Sequence, residues 1–169
     1  MIETERLQII PLTRVQLEVY LQADNKLERL LHLAEMNRTV SPDVQDMVKK
    51  FTIPKMKLAT SDNYLFYTFW IVIEKGTKII VAELGFKGEP NHLGQIEIGY
   101  GTMPSQRKNG YMTEALGAMV GWAKDQPSVL ALLAETDEKN LASIRVVQKN
   151  AFELIEKRGE MLAWKIDTK

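Results

Sequence analysis

The segment Gln106-Arg107-Lys108-Asn109-Gly110-Tyr111-Met112-Thr113-Glu114-Ala115 is a polar loop with two cations that runs straight into a helical pattern, directly after a strand-like run. The first N–H groups of a helix have no intrahelical acceptor and sit at the positive end of its macrodipole, so such a start collects anions. Arg107 and Lys108 add positive charge, and Gly110 lets a ligand approach the backbone closely. The chemistry this suggests is a cradle for phosphate or pyrophosphate; the plain alternative is a solvated basic loop. Two familiar phosphate motifs are missing: no G-x-x-x-x-G-K-[ST] and no G-x-G-x-x-G occur, which argues against a P-loop nucleotidase and a dinucleotide fold.

Other catalytic equipment is sparse. The chain has no cysteine, which excludes disulfides, thiolate metal sites and cysteine nucleophiles. Its two histidines, His32 and His92, are sixty residues apart, so a helical pair of zinc ligands is absent and no metal is expected. His32, in a Leu-rich stretch, reads as a partly buried structural residue, and His92 as a solvated turn residue. Lys plus Arg is 22 and Asp plus Glu is 22, so no broad nucleic-acid or membrane surface is expected. The start, Met1 to Arg6, lacks the basic and apolar regions of a signal peptide, and the apolar runs near 69–73 and 129–134 are too short to span a bilayer. These features point to a cytoplasmic protein.

One domain over residues 1–169 must position these groups, since a chain of this size buries about 70% of its surface around one core. Residues 6–12 alternate as an opening strand, and Thr13 caps a helix carrying Val15, Leu17, Val19 and Leu21. Residues 25–35 form a second helical pattern. Ser41-Pro42-Asp43 opens a third, with Val44, Met47, Val48 and Phe51 on one face and Pro54 expected to end or kink it. Strands follow over 64–74, 78–86 and 93–103, the last with Ile96, Ile98 and Tyr100 on one face and Gln95, Glu97 and Gly99 on the other. The aromatic group Tyr64, Phe66, Tyr67, Phe69 and Trp70 reads as core, with an acceptor-pocket lining as the alternative. A helix runs from Gly110 to about Lys124, a short strand over 129–134, a helix over 140–150 and a hairpin over 152–166. This order, with about 6–7 strands, is α/β (α+β): a mixed, mostly antiparallel sheet flanked by helices, with a right-handed strand–helix–strand unit at its centre.

Four segments resemble the GNAT superfamily of N-acetyltransferases, and more narrowly its RimJ/RimL-like branch. Glu3-Thr4-Glu5-Arg6-Leu7 with Pro11-Leu12 is similar to that branch's opening strand, and Glu97-Ile98-Gly99-Tyr100 to its fourth strand. Arg107 to Met112 follows the [QR]-x-x-G-x-[GA] pyrophosphate loop except at Met112, where altered packing rather than lost binding is expected. Asn140-Leu141-Ala142-Ser143 with Lys149-Asn150-Ala151-Phe152 follows N-x-x-S…K-x-G-F, with Ala151 in the glycine position. Either Ala151 takes a left-handed conformation at a cost of ~1 kcal/mol, or Asn150 takes it instead. Many members carry a tyrosine acid seven residues after the Asn, and here that residue is Val147.

The resemblance implies acetyl-CoA as donor, a primary amine (a peptide N-terminus or a small molecule) as acceptor, and direct attack in a ternary complex. It implies two splayed central strands with pantetheine between them. The cofactor-binding set is then Gly99, Gly101, Thr102 and Met103 on the fourth strand, Arg107, Lys108, Asn109, Gly110, Tyr111, Met112 and Thr113 around the pyrophosphate, and Asn140, which also suits a helix cap. Glu97 is the first candidate base and Glu135 the second, with a surface or ion-paired Glu97 as the plain alternative. Ser143 is the candidate donor to the leaving sulfur. A homodimer is consistent with the family. The competing reading is an acyl-CoA-binding sensor or interaction module without turnover.

Overall fold

The computed structural model describes residues 1–22, 24–36, 38–61 and 63–169. Local signals set most boundaries. The Thr13 hydroxyl accepts from Gln16 N–H (3.2 Å) while Thr13 N–H donates to the Gln16 side chain (2.8 Å), a capping box that starts α1 at Arg14 (Arg14–Tyr20). Ser41 caps α3 (Pro42–Met47) with proline in its first turn. Asn140 caps α6 (Leu141–Lys149) by accepting from Ser143 N–H at 3.1 Å.

Among the described residues eight strands form one sheet: β1 (Ile2–Glu3), β2 (Leu7–Pro11), β3 (Phe69–Glu74), β4 (Ile79–Phe86), β5 (Gln95–Thr102), β6 (Ala131–Asp137), β7 (Glu153–Arg158) and β8 (Met161–Asp167), in the order β1-β2-β3-β4-β5-β6-β8-β7. Every neighbouring pair is antiparallel except β5 and β6, which are parallel and joined through α5 (Tyr111–Lys124). Alternation along each strand divides the core between two faces. Trp70 and Val72 of β3 and Ile96 and Ile98 of β5 pack with Ala115, Leu116 and Met119 of α5, whereas Ile71, Ile73 and Ile80 pack with Leu17 and Tyr20 of α1, Leu27 of α2 (Lys26–Leu30) and Val48. No described helix is long and apolar enough to cross a membrane.

Several expectations are corrected. The sheet has one strand more than the upper count expected, because Ile2–Glu3 pairs with Gln8–Ile9 as a two-residue edge too short to show a pattern. Tyr64–Phe66 is a 3-10 turn, not strand: Tyr67 and Thr68 N–H both return to Tyr64 O, and extension begins at Phe69. The second helix stops at Leu30, since His32 turns left-handed (φ 55°) and Leu33 N–H closes back on Glu28 O. His32 is therefore exposed rather than partly buried. Of the two outcomes expected at Pro54, an end or a kink, the helix does not end. A π-turn at Val48–Thr52 sends Ile53 N–H to Val48 O, relieving the clash and missing donor of proline, and α4 (Ile53–Leu58) carries on. β6 extends to Asp137, so Glu135 lies within that strand and is exposed.

Candidate functional site

The basic loop is shaped by two left-handed residues, Lys108 (φ 67°) and Gly110 (φ 79°), the latter standing at the N-cap of α5. Glycine tolerates that conformation and supplies no capping side chain. The first helical backbone bond runs from Glu114 N–H to Gly110 O (3.2 Å), which leaves the N–H groups of Tyr111, Met112 and Thr113 without intrahelical acceptors. Arg107, Lys108 and Asn109 are exposed beside them, and among the described residues neither cation is ion-paired. Met112 turns its side chain into the core, 4% exposed, so its bulk lies beneath the helix.

The opening segment braces this loop. Arg6 pairs with Glu114 (2.7 Å), donates to Asn109 O (3.1 Å) and lies over the Tyr111 ring, while Thr4 donates to Glu114 at 2.5 Å. Burial opposes the Glu114 charge, but the Thr4 and Arg6 hydrogen bonds and the guanidinium outweigh it and hold the carboxyl below its usual range.

Beside the loop the sheet opens. β5 and β6 pair only at Gln95–Glu97 with Ala131–Leu133. Beyond those registers Ile98–Thr102 bonds only to β4, and Ala134–Asp137 only to β8. The two strands are parallel, so both free edges run toward their C-terminal ends, where the loop and the N-terminus of α6 begin. The register commits the backbone groups of Gly99 and Gly101 to Gly85 and Glu83 of β4, so the free β5 edge presents those of Tyr100 and of Thr102, its last strand residue. Met103 is committed elsewhere: its N–H bonds to Val81 O and its side chain is buried with α1 and α2. Across the opening the Tyr100 hydroxyl reaches the Ser143 hydroxyl at 2.9 Å. Burial pushes the Tyr100 phenol up, and the Ser143 bond works the other way. Val147 is fully buried one turn further along α6.

On the opposite face of β4 and β5 lies a cavity of about 530 Å³. Val44, Met47 and Phe51 of the third-helix segment cover it, with Tyr67 and Phe69 at one side. The aromatic group thus splits, with Phe66 and Trp70 in the core and Tyr67 and Phe69 on the cavity. The β4–β5 register sets Glu83 opposite Gly101 and Gly85 opposite Gly99, so glycines clear a trough beside one carboxylate. Glu97 is outside this lining, in an ion pair with Lys87 at the last residue of β5 that still pairs with β6.

Sequence reasoning passed over Glu83 and Tyr100. A signal existed for the first: it is the one carboxylate in the apolar strand IIVAELGF. Nothing local marks Tyr100, whose partner is 43 residues away.

Comparison with known proteins gives concordant findings. The model of the acetyltransferase (GNAT) domain family matches residues 6–153. The uncharacterized N-acetyltransferase YjdG of Bacillus subtilis is 36% identical over 100 residues, 59% of this chain and 60% of that protein's length. A GNAT-family acetyltransferase from Bacillus anthracis superposes with a TM-score of 0.64 at 19% identity, covering 99% and 98% of the two chains. RimL, a ribosomal L7/L12 alpha-N-protein acetyltransferase in complex with coenzyme A, gives 0.64 at 12% identity over 97% and 95%.

Proposed function

The chain belongs to the GNAT acetyltransferase family, and on that premise we propose that it moves an acetyl group from acetyl-CoA to a primary amine by direct attack within a ternary complex. The observation that carries this reading is the uncapped start of α5 at the mouth of an opening between two parallel strands. The Tyr111, Met112 and Thr113 amides with Gly110, Asn109, Arg107 and Lys108 suit a diphosphate. The unpaired β5 edge offers the backbone groups of Tyr100 and Thr102 to the amide groups of pantetheine, with Gly99 and Gly101 beside them keeping the strand narrow, and a donor there would polarise the thioester carbonyl. Asn140 frames the far wall while capping α6.

A lysine-type ammonium (pKa ~10.4) costs about 4.6 kcal/mol to deprotonate at pH 7, an α-ammonium (pKa ~8) about 1.4 kcal/mol. Either proton needs an acceptor near the β5 edge. The departing sulfur needs a donor, and the Ser143 hydroxyl, hydrogen-bonded to Tyr100, supplies it where Val147 carries no proton. Tyr100 acts through Ser143 and is a positioning residue.

The test has two steps. CoA at 100 times its Kd should stabilise the protein by about 2.7 kcal/mol, read as a rise in Tm. Acetyl-CoA with an amine panel that includes peptide N-termini should then release thiol. A Tm rise without thiol release from any amine would identify a holding module instead, and no rise would refute the donor site.

A further inference from the structure

The cavity over β4 and β5 sets one carboxylate among mostly apolar walls. Among the described residues Glu83 is the only carboxylate in its lining, and the Tyr20 hydroxyl donates to Oε2 of that group. Oε1 is the oxygen on the Gly101 side, where a methyl group added to that glycine would come no closer than 4.0 Å. The nearby cation, Arg38, is already engaged: it pairs with the buried Glu28 at 2.9 Å and stacks on the Tyr20 ring. Arg38 is thus committed to Glu28, and the half-buried Glu83 opens into the cavity with no ion pair among the described residues. Lys55 and Lys87 stand in the same lining. The Lys87–Glu97 pair is four residues along the chain from Glu83, about 13 Å away.

Resting on the acetyltransferase reading, we propose that the acceptor is a singly charged primary amine on an apolar carbon skeleton, its nitrogen held by Glu83 and its skeleton by Met47, Phe51, Tyr67 and Phe69. A polycation would bring several charges to a lining with one carboxylate and two lysines. A monoamine with an aliphatic or aromatic group matches both the charge and the walls. Such an amine comes from a small molecule or from a peptide whose first side chain is apolar.

Glu83 is then a catalytic residue. It takes a proton from the bound ammonium, and the freed nitrogen attacks the thioester carbon. The C–N bond forms and the C–S bond breaks, with the electron pair leaving on sulfur. The nitrogen loses a second proton as the amide forms; one proton ends on the sulfur by way of Ser143 and the other reaches solvent. Burial lifts the Glu83 carboxyl above its usual range, with the Tyr20 hydrogen bond and Arg38 opposing. The groups facing it are Tyr20 from α1 and Arg38 with Glu28 behind it, and Lys55 and Lys87 stand elsewhere in the cavity lining. The acidic limb of kcat/KM should accordingly lie above pH 4.5.

The experiment compares ethylamine, 2-phenylethylamine, spermidine and the tripeptides Phe-Ala-Ala and Ser-Ala-Ala as acceptors. An apolar group in a fitted pocket is worth roughly 10–200-fold, so 2-phenylethylamine should exceed ethylamine, and the Phe peptide the Ser peptide, by at least about tenfold, with spermidine below 2-phenylethylamine. Whichever of the two apolar acceptors leads identifies the source. Glu83→Gln should lower kcat/KM by about 10²–10⁴-fold and remove the acidic limb, with the CoA-induced Tm rise unchanged. Glu97→Gln should lose less than Glu83→Gln.

Preference for spermidine or the Ser peptide, or a larger loss in Glu97→Gln, overturns the proposal while leaving acetyl transfer standing. If CoA gives no Tm rise, the donor reading has failed. Calorimetric titration of 2-phenylethylamine then judges the cavity alone: binding lost in Glu83→Gln supports the assignment, and no binding to the unsubstituted protein overturns it.

Discussion

Ala151→Gly should make this protein more stable, and the reason is visible at the end of α6. Phe152 N–H bonds to Val147 O and Ala151 N–H to Gln148 O, both at 3.1 Å, the two bonds of a Schellman closure. That closure needs a left-handed residue after the cap. Ala151 supplies it at φ 60°, while Asn150 stays at φ −98° because its side chain is bonded to Thr113 O and Val146 O. An L-residue there costs roughly 1–2 kcal/mol. Glycine removes that strain but loses about 0.4–1 kcal/mol more backbone entropy on folding. The net gain centres on about 0.8 kcal/mol, and at about 2–4 °C per kcal/mol for a chain of this size Tm should rise by about 2–3 °C. Urea unfolding should move its midpoint up with an unchanged m-value. Ala151 is exposed and outside the site, so CoA affinity should not change. A lower midpoint would show that the left-handed turn is not what holds this helix end.

Glu114→Gln should weaken CoA binding, because it frees Arg6 and loosens the 107–112 loop, and should cost roughly 1 kcal/mol of stability at neutral pH. The native carboxyl titrates below its unfolded value, so its contribution is complete above about pH 4.5 and fades as pH falls through the native value; urea curves at pH 7 and pH 3 should show the gap closing, and a constant gap would contradict the pairing. Tyr100→Phe should lower kcat about 10–100-fold with little change in the amine KM or in CoA affinity, since the lost hydroxyl orients Ser143; an unchanged kcat would leave Tyr100 a packing residue only.

Much of the architecture is open to sequence reasoning because it rests on contacts a few residues long. Caps at Thr13, Ser41 and Asn140, the loop into α5 and the period-two alternation of β5 are all local. Where local signals compete, pattern and structure diverge. The aromatic run at 64–66 fits a strand pattern but folds as a turn, and Pro54 reads as a stop or a kink and is accommodated by a π-turn. The family motifs single out the loop into α5, whose geometry is carried by one left-handed glycine and one uncapped helix start.

Local chain order thus sets the elements, their succession and the uncapped start of α5, since each follows from neighbours within a turn or a strand. Packing in three dimensions settles which carboxylate opens into the cavity, which hydroxyl meets Ser143 and where the sheet parts. Glu83 and Tyr20 are 63 residues apart, and Tyr100 and Ser143 are 43 apart. The bare sequence leaves Glu97 open between a base and an ion-paired surface residue, and the β4–β5 pairing delivers Lys87 to it. Strand order and register set these encounters, and no periodicity along the chain encodes which strand lies beside which.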